Sequence, residues 1–382
     1  MTKRTGMISK AVGQAHDSRV VMTLDAGGTS FRFSAMRGNQ RVTDTVITPS
    51  DGDNLKKCLS NIIAGFRQIK KDCPTAPVAI SFAFPGPADY PAGIIGDLPN
   101  LAAFRGGVAL GPMLEEAFRI PVSINNDGEL FTYGEAIAGF LPYVNGLLEK
   151  AGSPMRYKNL LGVTLGTGFG GGIARNGELY CGDNSNASQI WLTRHKYLPK
   201  TNVEEGVSIR AVRRVFAEEA RISFAEAPDP RVIEAIAVGE VSGDRTAAVE
   251  AYRRMGEMAG NAMGNALALL DGLAVIGGGL SKGWRLFLPA LVAELNDSYT
   301  APSGEKFRRL PQPAFNLEDP AQLKRFLKGQ IRAIRVPGSK SRVTYDSLQR
   351  IGVGISRLGT SEAIAIGACA FALKKLDALK GG

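Results

Sequence analysis

The sequence predicts an α/β protein built from two similar halves, each a mixed sheet flanked by helices. Three observations carry this. Three glycine-rich turns, Asp25-Ala26-Gly27-Gly28-Thr29, Gly166-Thr167-Gly168-Phe169-Gly170-Gly171-Gly172 and Gly277-Gly278-Gly279, each follow a short β-branched or aliphatic run. The first half opens with period-two alternation and then turns amphipathic at helical spacing. From Asn159 the order of strand, glycine turn and strand begins again, and 382 residues leave room for two domains.

Val20 to Asp25 reads as a strand, with Gly27-Gly28 as its turn. Ser30 to Met36 alternates Phe31, Phe33 and Ala35 with Arg32 and Ser34, the signature of a second strand, and Gly38-Asn39 turns into a third, Arg41 to Thr48. Asn54 to Lys71 predicts an amphipathic helix with Leu55, Cys58, Leu59, Ile62, Ile63, Phe66 and Ile69 on one face. Pro77 to Phe84 is a buried strand, Pro112 to Arg119 a helix, and Pro121 to Asn125 another strand. After the restart, Leu160 to Leu165 is a strand, Gly172 to Arg175 its return, and Asn176-Gly177 closes a hairpin into Glu178 to Tyr180. Helices are predicted at Ser208 to Glu219, Arg231 to Val238 and Arg245 to Leu270. A strand follows at Leu273 to Ile276, then a helix from Ser281 to Leu295 with Ser281 as N-cap.

Composition excludes several classes. With 44% hydrophobic and 21% charged residues the chain is an ordinary globular one. No apolar run approaches the ~20 residues of a membrane helix. The first twenty residues carry Lys3, Arg4, Lys10, His16 and Asp17 where a signal peptide would be apolar, so a cytoplasmic location is expected. Cys58, Cys73, Cys181 and Cys369 are scattered, which writes neither a disulfide framework nor a zinc knuckle. The net charge of +10 is concentrated between Gly304 and Arg350. Without interleaved aromatics this reads as a solvated basic insert, about 302–347, rather than a nucleic-acid site.

Gly166-x-Gly168-x-x-Gly171 matches the dinucleotide fingerprint as a string, but that motif must open a helix. Here a strand and a hairpin turn follow. The glycines instead let backbone N–H groups approach phosphate oxygens. Asp25, at a strand end, is placed to hold a Mg²⁺-bound water while Gly27, Gly28 and Thr29 face phosphates; the alternative is a turn aspartate bonding its own backbone. Gly277, Gly278 and Gly279 would accommodate adenine and ribose. Only His16 and His195 exist, so no catalytic triad or His-rich metal site can be assembled, and a carboxylate must do the acid–base work. Asp127 follows a strand and precedes a helix, at the usual rim of an α/β cleft; the alternative is that it caps that helix. The combined reading is a small-molecule kinase.

Asp25-Ala26-Gly27-Gly28-Thr29, Phe84-Pro85-Gly86-Pro87, Pro99-Asn100-Leu101, Asn126-Asp127, Gly134-Glu135, Leu165 to Gly172 with Asn176-Gly177, and Ile276 to Ser281 resemble, in the same order, the ROK family (repressors, uncharacterised reading frames and sugar kinases). The resemblance runs from about Val20 to Ala372. It implies two ribonuclease-H-like domains of the actin-like ATPase superfamily around a central cleft. These would be 18–127, joined by a C-terminal helix 361–380, and 128–360. It implies Mg-ATP as donor, with Gly166, Thr167, Gly168 and Gly170 on the phosphates, and a hexose or amino-sugar as acceptor, phosphorylated at C6. Asn100, Asn126 and Asp127 would contact sugar hydroxyls, with Asp127 as base, and domain closure would exclude water. A homodimer is expected.

Two departures stand out. Ser188-Gln189-Ile190-Trp191-Leu192 occupies the place of the family's Gly-Glu-Ile-Gly-His, and Thr201-Asn202-Val203-Glu204-Glu205 that of its cysteine cluster. Zinc is therefore not expected. Glu204 matches the family's next acidic sugar contact, and Gln189 can still donate and accept hydrogen bonds. The alternatives are a sugar-sensing transcriptional regulator, for which fewer than twenty-five residues before Asp25 leave too little chain for a DNA-binding domain, and a non-catalytic sugar-binding protein.

Overall fold

The computed structural model describes residues 17–27, 29–98 and 101–380; Gly28, Asn100 and His16, all used in the sequence reading, lie outside the described residues. The chain divides into two compact units. One comprises the described residues of Met1–Gly139, Gly172–Ala187 and Leu358–Gly382, the other Phe140–Gly171 and Ser188–Arg357.

The first unit opens with β1 (Val20–Ala26), β2 (Ser30–Arg37), β3 (Gln40–Arg41) and β4 (Val46–Pro49), then α1 (Leu55–Asp72), β5 (Pro77–Ala83), β6 (Ala88–Asp89), β7 (Ile94–Ile95), α2 (Leu110–Phe118), β8 (Val122–Asn125) and α3 (Asp127–Ile137). Its sheet runs β3-β2-β1-β5-β8, with β4 also on β2. Alternation along β1 and β2 gives the sheet two apolar faces. Val20, Met22, Leu24, Phe31 and Phe33 pack with Ile62, Phe66 and Ile69 of α1, where Phe33 and Phe66 meet edge to face at 5.0 Å. Burying each such ring contributes roughly 1.5–3 kcal/mol. Asn54 caps α1 by accepting from Lys57 N–H at 3.1 Å. The predicted strand Arg41 to Thr48 is in fact two short pieces, because Thr43 Oγ1 takes the Ala35 N–H at 3.0 Å in place of a backbone carbonyl and interrupts the ladder.

The second unit begins with α4 (Phe140–Lys150) and β9 (Asn159–Leu165); β10 (Phe169–Arg175) then crosses the division and is followed by β11 (Glu178–Leu179). After α5 (Ile209–Ala220), α6 (Pro230–Val238) and α7 (Arg245–Leu270) come β12 (Leu273–Gly277) and α8 (Trp284–Leu295). Then follow β13 (Ser298–Thr300), β14 (Lys306–Arg308), β15 (Ala314–Asn316), α9 (Pro320–Lys328), β16 (Ile331–Arg335), β17 (Arg342–Asp346) and β18 (Ile351–Ile355). The sheet order is β11-β10-β9-β12-β18-β15. The chain closes with α10 (Thr360–Lys380) in the first unit, where Ile366, Cys369 and Leu373 cover the second face of β1 and β2 at Val21 and Met36.

Two expectations change here. Ser281 does not cap a helix: Gly279–Gly283 is a 3₁₀ turn, α8 starts at Trp284, and the Ser281 hydroxyl donates back to Gly278 O at 2.7 Å, so it is not aimed at the next turn's N–H groups. The basic stretch is only partly a surface insert. Its β16–β17 hairpin is exposed, but Ala314, Phe315 and Asn316 are buried in the main sheet, and Arg350 is buried against Asp346 at 2.8 Å.

Candidate active site

In the first unit, register places Asp25 opposite Arg32 and Thr23 opposite Ser34 on the face of β1 and β2 that α10 covers. Near the strand end that cover opens into a cavity of about 300 Å³, lined by Asp25, Arg32, Ser34, Arg41 and Ser361 among others. Ser361 Oγ donates to Asp25 Oδ2 at 3.3 Å, and Arg41 is paired with Glu362 at 3.0 Å. The turn itself is closed by Gly27 N–H to Ser30 O at 3.1 Å. The Asp25 carboxylate thus faces a cavity that also holds the Arg32 guanidinium. Among the described residues, no group of three or more His, Cys, Asp or Glu side chains is arranged to hold a metal ion.

At the carboxyl end of β8, Asn126 rather than Asp127 is the N-cap of α3. Its Oδ1 accepts from Gly128 N–H at 2.9 Å, and Asp127, the first helical residue, shares the same donor at 2.8 Å. The Asp127 carboxyl is open to solvent yet surrounded by protein atoms on most sides. That desolvation raises its pKa, the charge of Asp25 adds to the rise, and the Gly128 N–H opposes it. Two residues on, Glu129 is fully buried, with both carboxyl oxygens unpartnered among the described residues. Burial pushes it up to about 8. The Cys181 thiol and the Asn126 backbone temper that rise, though neither makes a hydrogen bond of normal geometry with it. Burial, with Glu129 beside it, raises Cys181 to about 12, so this thiol is inert.

In the second unit the other two glycine turns meet. β9 and β12 run parallel in the register Ile276↔Val163 and Gly277↔Thr164. Gly278, at φ +88°, lies so close to the Leu165 backbone that a Cβ there would sit 2.3 Å from Leu165 O. Only glycine fits both restrictions. In the loop after β9, Gly166 N–H donates to Gly168 O at 3.0 Å and Phe169 N–H to Glu204 Oε2 at 2.9 Å. Gly171 packs against Ser188 and Ile190, and the Gln189 side chain accepts from Trp191 Nε1 at 2.7 Å. His195 is buried, its Nδ1 accepts from the N–H groups of Tyr197 and Leu198, and burial together with the Arg214 charge lowers its pKa.

Asp25, Gly27, Thr29, Asn126 and Asp127 thus belong to the first unit, and Gly166 to Gly170, Gln189, Glu204 and Gly277 to Gly279 to the second. Sequence reading missed Arg32, Ser361, Glu129 and Arg210. Arg32 was legible in principle, since a hairpin through Gly27-Gly28 sets it opposite Asp25. The others carry no local signal.

The sequence pattern of the ROK family matches residues 21–308. The chain belongs to the ROK family. Similar curated proteins include the glucokinase of Halalkalibacterium halodurans, 29% identical over 175 residues, which are 44% of this ROK chain and 47% of that protein. The N-acetyl-D-glucosamine kinase of Photobacterium profundum is 27% identical over 292 residues, 71% and 88% of the two chains. The alignment therefore spans about half the length of the first of these relatives and most of the second. Among solved structures, the glucokinase of Parabacteroides distasonis superposes with a TM-score of 0.86 at 51% identity, covering 94% of this chain and 99% of that one. The ROK glucokinase of Streptomyces griseus, solved with glucose and AMPPNP, shares the fold at 18% identity and a TM-score of 0.57, over 91% of this chain and 98% of its own. The fold is the α/β one of these ROK sugar kinases.

Proposed function

We propose that this protein transfers the γ-phosphoryl group of ATP to a hexose or amino-sugar hydroxyl, at C6, with Asp127 as the general base. The observation that carries the reading is Asp127: a solvent-open carboxylate at the carboxyl end of β8 whose proton affinity the surrounding protein and Asp25 both raise. A base of raised pKa takes a hydroxyl proton more readily than an ordinary aspartate does. The sugar oxygen would attack the γ-phosphorus, its proton passing to Asp127 as the bond to the ADP oxygen breaks. Such transition states are loose, so positioning and charge neutralisation supply most of the acceleration.

The residues present suit the nucleotide and its metal. Asp25 faces a cavity with Arg32 beside it, and in the second unit the loop N–H groups of Thr167 and Gly168 have no partner among the described residues. Mg²⁺, when bound, neutralises phosphate charge and would be held by Asp25 through water. Asn126 and Gln189, with Glu204, are assigned to sugar hydroxyls. Similarity to a glucokinase at 51% identity supports glucose as the first acceptor to try.

Measuring ATP consumption over a panel of hexoses and N-acetylhexosamines tests the reading. Turnover with one sugar well above the sugar-free rate is expected. ADP release that no sugar accelerates would refute it.

A further inference from the structure

The glycine loop between β9 and β10 is fastened from within by one carboxylate. Glu204, in the 3₁₀ turn Val203–Gly206, accepts Phe169 N–H through Oε2 at 2.9 Å and Arg210 Nη2 through Oε1 at 2.9 Å. Arg210 is held in turn by Glu205 Oε1, at 3.0 Å from Nε and 2.6 Å from Nη2. A second tie runs from the start of α5, Ile209 N–H to Gly166 O at 2.9 Å. The loop's own donors are thereby sorted into two sets. Gly166 and Phe169 spend their N–H groups inward, on Gly168 O and Glu204. Those of Thr167 and Gly168 have no partner among the described residues, and Thr167 is exposed. The fit under the loop is close, since a Cβ on Gly168 would lie 2.7 Å from Glu204 Oε2.

We propose that Glu204 is a positioning residue for the nucleotide: braced by Arg210, it draws the Phe169 N–H inward and so fixes Thr167 and Gly168 as the donors that meet phosphate. This rests on the kinase reading, and it adds to the sugar contact assigned to Glu204 a role exerted through the loop. A bare carboxylate beneath a phosphate-binding turn would repel the ligand. Arg210 and Arg214 answer that objection. Arg210 pairs with Glu204 while Arg214 Nη1 also pairs with Glu205 at 3.4 Å, so two guanidiniums balance the two carboxylates and the acceptor for Phe169 stays intact. The same segment grips the loop at its far end, where Ser188 O and Ile190 pack on Gly171. Residues 188–206 thus hold the loop at both Phe169 and Gly171, so the segment carrying Gln189 shares its order with the loop.

The test is the affinity of the full-length protein for Mg-ADP and Mg-AMPPNP by calorimetry, in four proteins: wild type, Glu204→Ala, Gly168→Ala and the double variant. Loss of one charge-assisted hydrogen bond predicts nucleotide binding weaker by about 10–100-fold in Glu204→Ala. Gly168→Ala, which must push Glu204 aside, should weaken it similarly, and the double variant should be little worse than either single one, as expected for two residues acting through one contact. Glu204→Gln, which keeps an acceptor for Phe169 but weakens the pairing with Arg210, should recover part of the loss, and the KM for ATP should rise more than that for sugar. If Glu204→Ala is too unstable to study, Gly168→Ala and Arg210→Ala carry the same prediction. Fully additive losses, or a Glu204→Ala effect confined to the KM for sugar, would overturn the proposal while leaving the kinase reading in place. A wild-type protein that binds neither nucleotide would end the kinase reading and the proposal with it.

Discussion

Glu129 gives the most quantitative test of how this protein treats charge beside its candidate base. Its carboxyl group is buried without a hydrogen-bond partner among the described residues and is pushed from 4.5 up to about 8. The folded state therefore holds this proton at pH values where the unfolded chain has released it. A raised folded pKa stabilises fully below about pH 4.5, and the contribution is lost as pH rises towards 8. At 1.36 kcal/mol per unit, the shift costs the wild type about 1.4 kcal/mol at pH 5.5 and about 4–5 kcal/mol at pH 8.5. Glu129→Gln has nothing to ionise, so its stability relative to wild type should grow by about 3 kcal/mol across that interval, or roughly 6–12 °C in Tm for a unit of this size. The assay is calorimetric melting of both proteins from pH 5.5 to 8.5. Comparing the two cancels the titrating groups that do not sense Glu129, and any loss of shape or helix capping, which does not vary with pH; Asp127 and Cys181, which do sense it, are the remaining contributors. Parallel Tm curves would refute the reasoning and mean that Glu129 finds water or a cation that keeps it charged. The neutral form has a functional meaning too: it spares Asp127 a second negative neighbour within its own helical turn.

Three further outcomes follow from the geometry. Asp127→Asn should fold normally and bind sugar but lose about 10²–10⁴-fold in kcat, and in the wild type the acid limb of kcat/KM should lie above the ordinary aspartate range because the carboxyl pKa is raised; near-normal turnover in the variant would return Asp127 to a purely structural role. Gly278→Ala puts a Cβ 2.3 Å from Leu165 O at a φ of +88°, so it should cost at least about 1–3 kcal/mol of stability and weaken nucleotide binding, and an unchanged melting curve would count against this close approach of the two turns. Metal analysis of purified, untagged protein should find no stoichiometric zinc, since the Nδ1 of His195 is taken by two backbone N–H groups; one zinc per chain that resists chelation would overturn this.

The sequence by itself determined what depends on near neighbours along the chain. Period-two alternation in Ser30 to Met36 and helical spacing from Leu55 to Ile69 place the elements of the first sheet, because those periods are set by backbone geometry within a few residues. The glycine turns were legible because backbone close to another chain segment, or at positive φ, leaves no room for a side chain, as Gly278 shows. Asp127 was found at the end of β8 by strand and helix grammar alone. What the sequence could not supply are relations between residues far apart in the chain. Nothing near Glu204 announces that it will accept the N–H of Phe169, thirty-five positions away, or that Arg210 will brace it. Ser281 carries the composition of an N-cap, but in the 3₁₀ turn its hydroxyl donates to the carbonyl of Gly278, three residues earlier. The proton affinities of Asp127 and Glu129 are likewise tertiary properties. A carboxyl group titrates according to the water it has lost and the charges around it, and folding alone decides both.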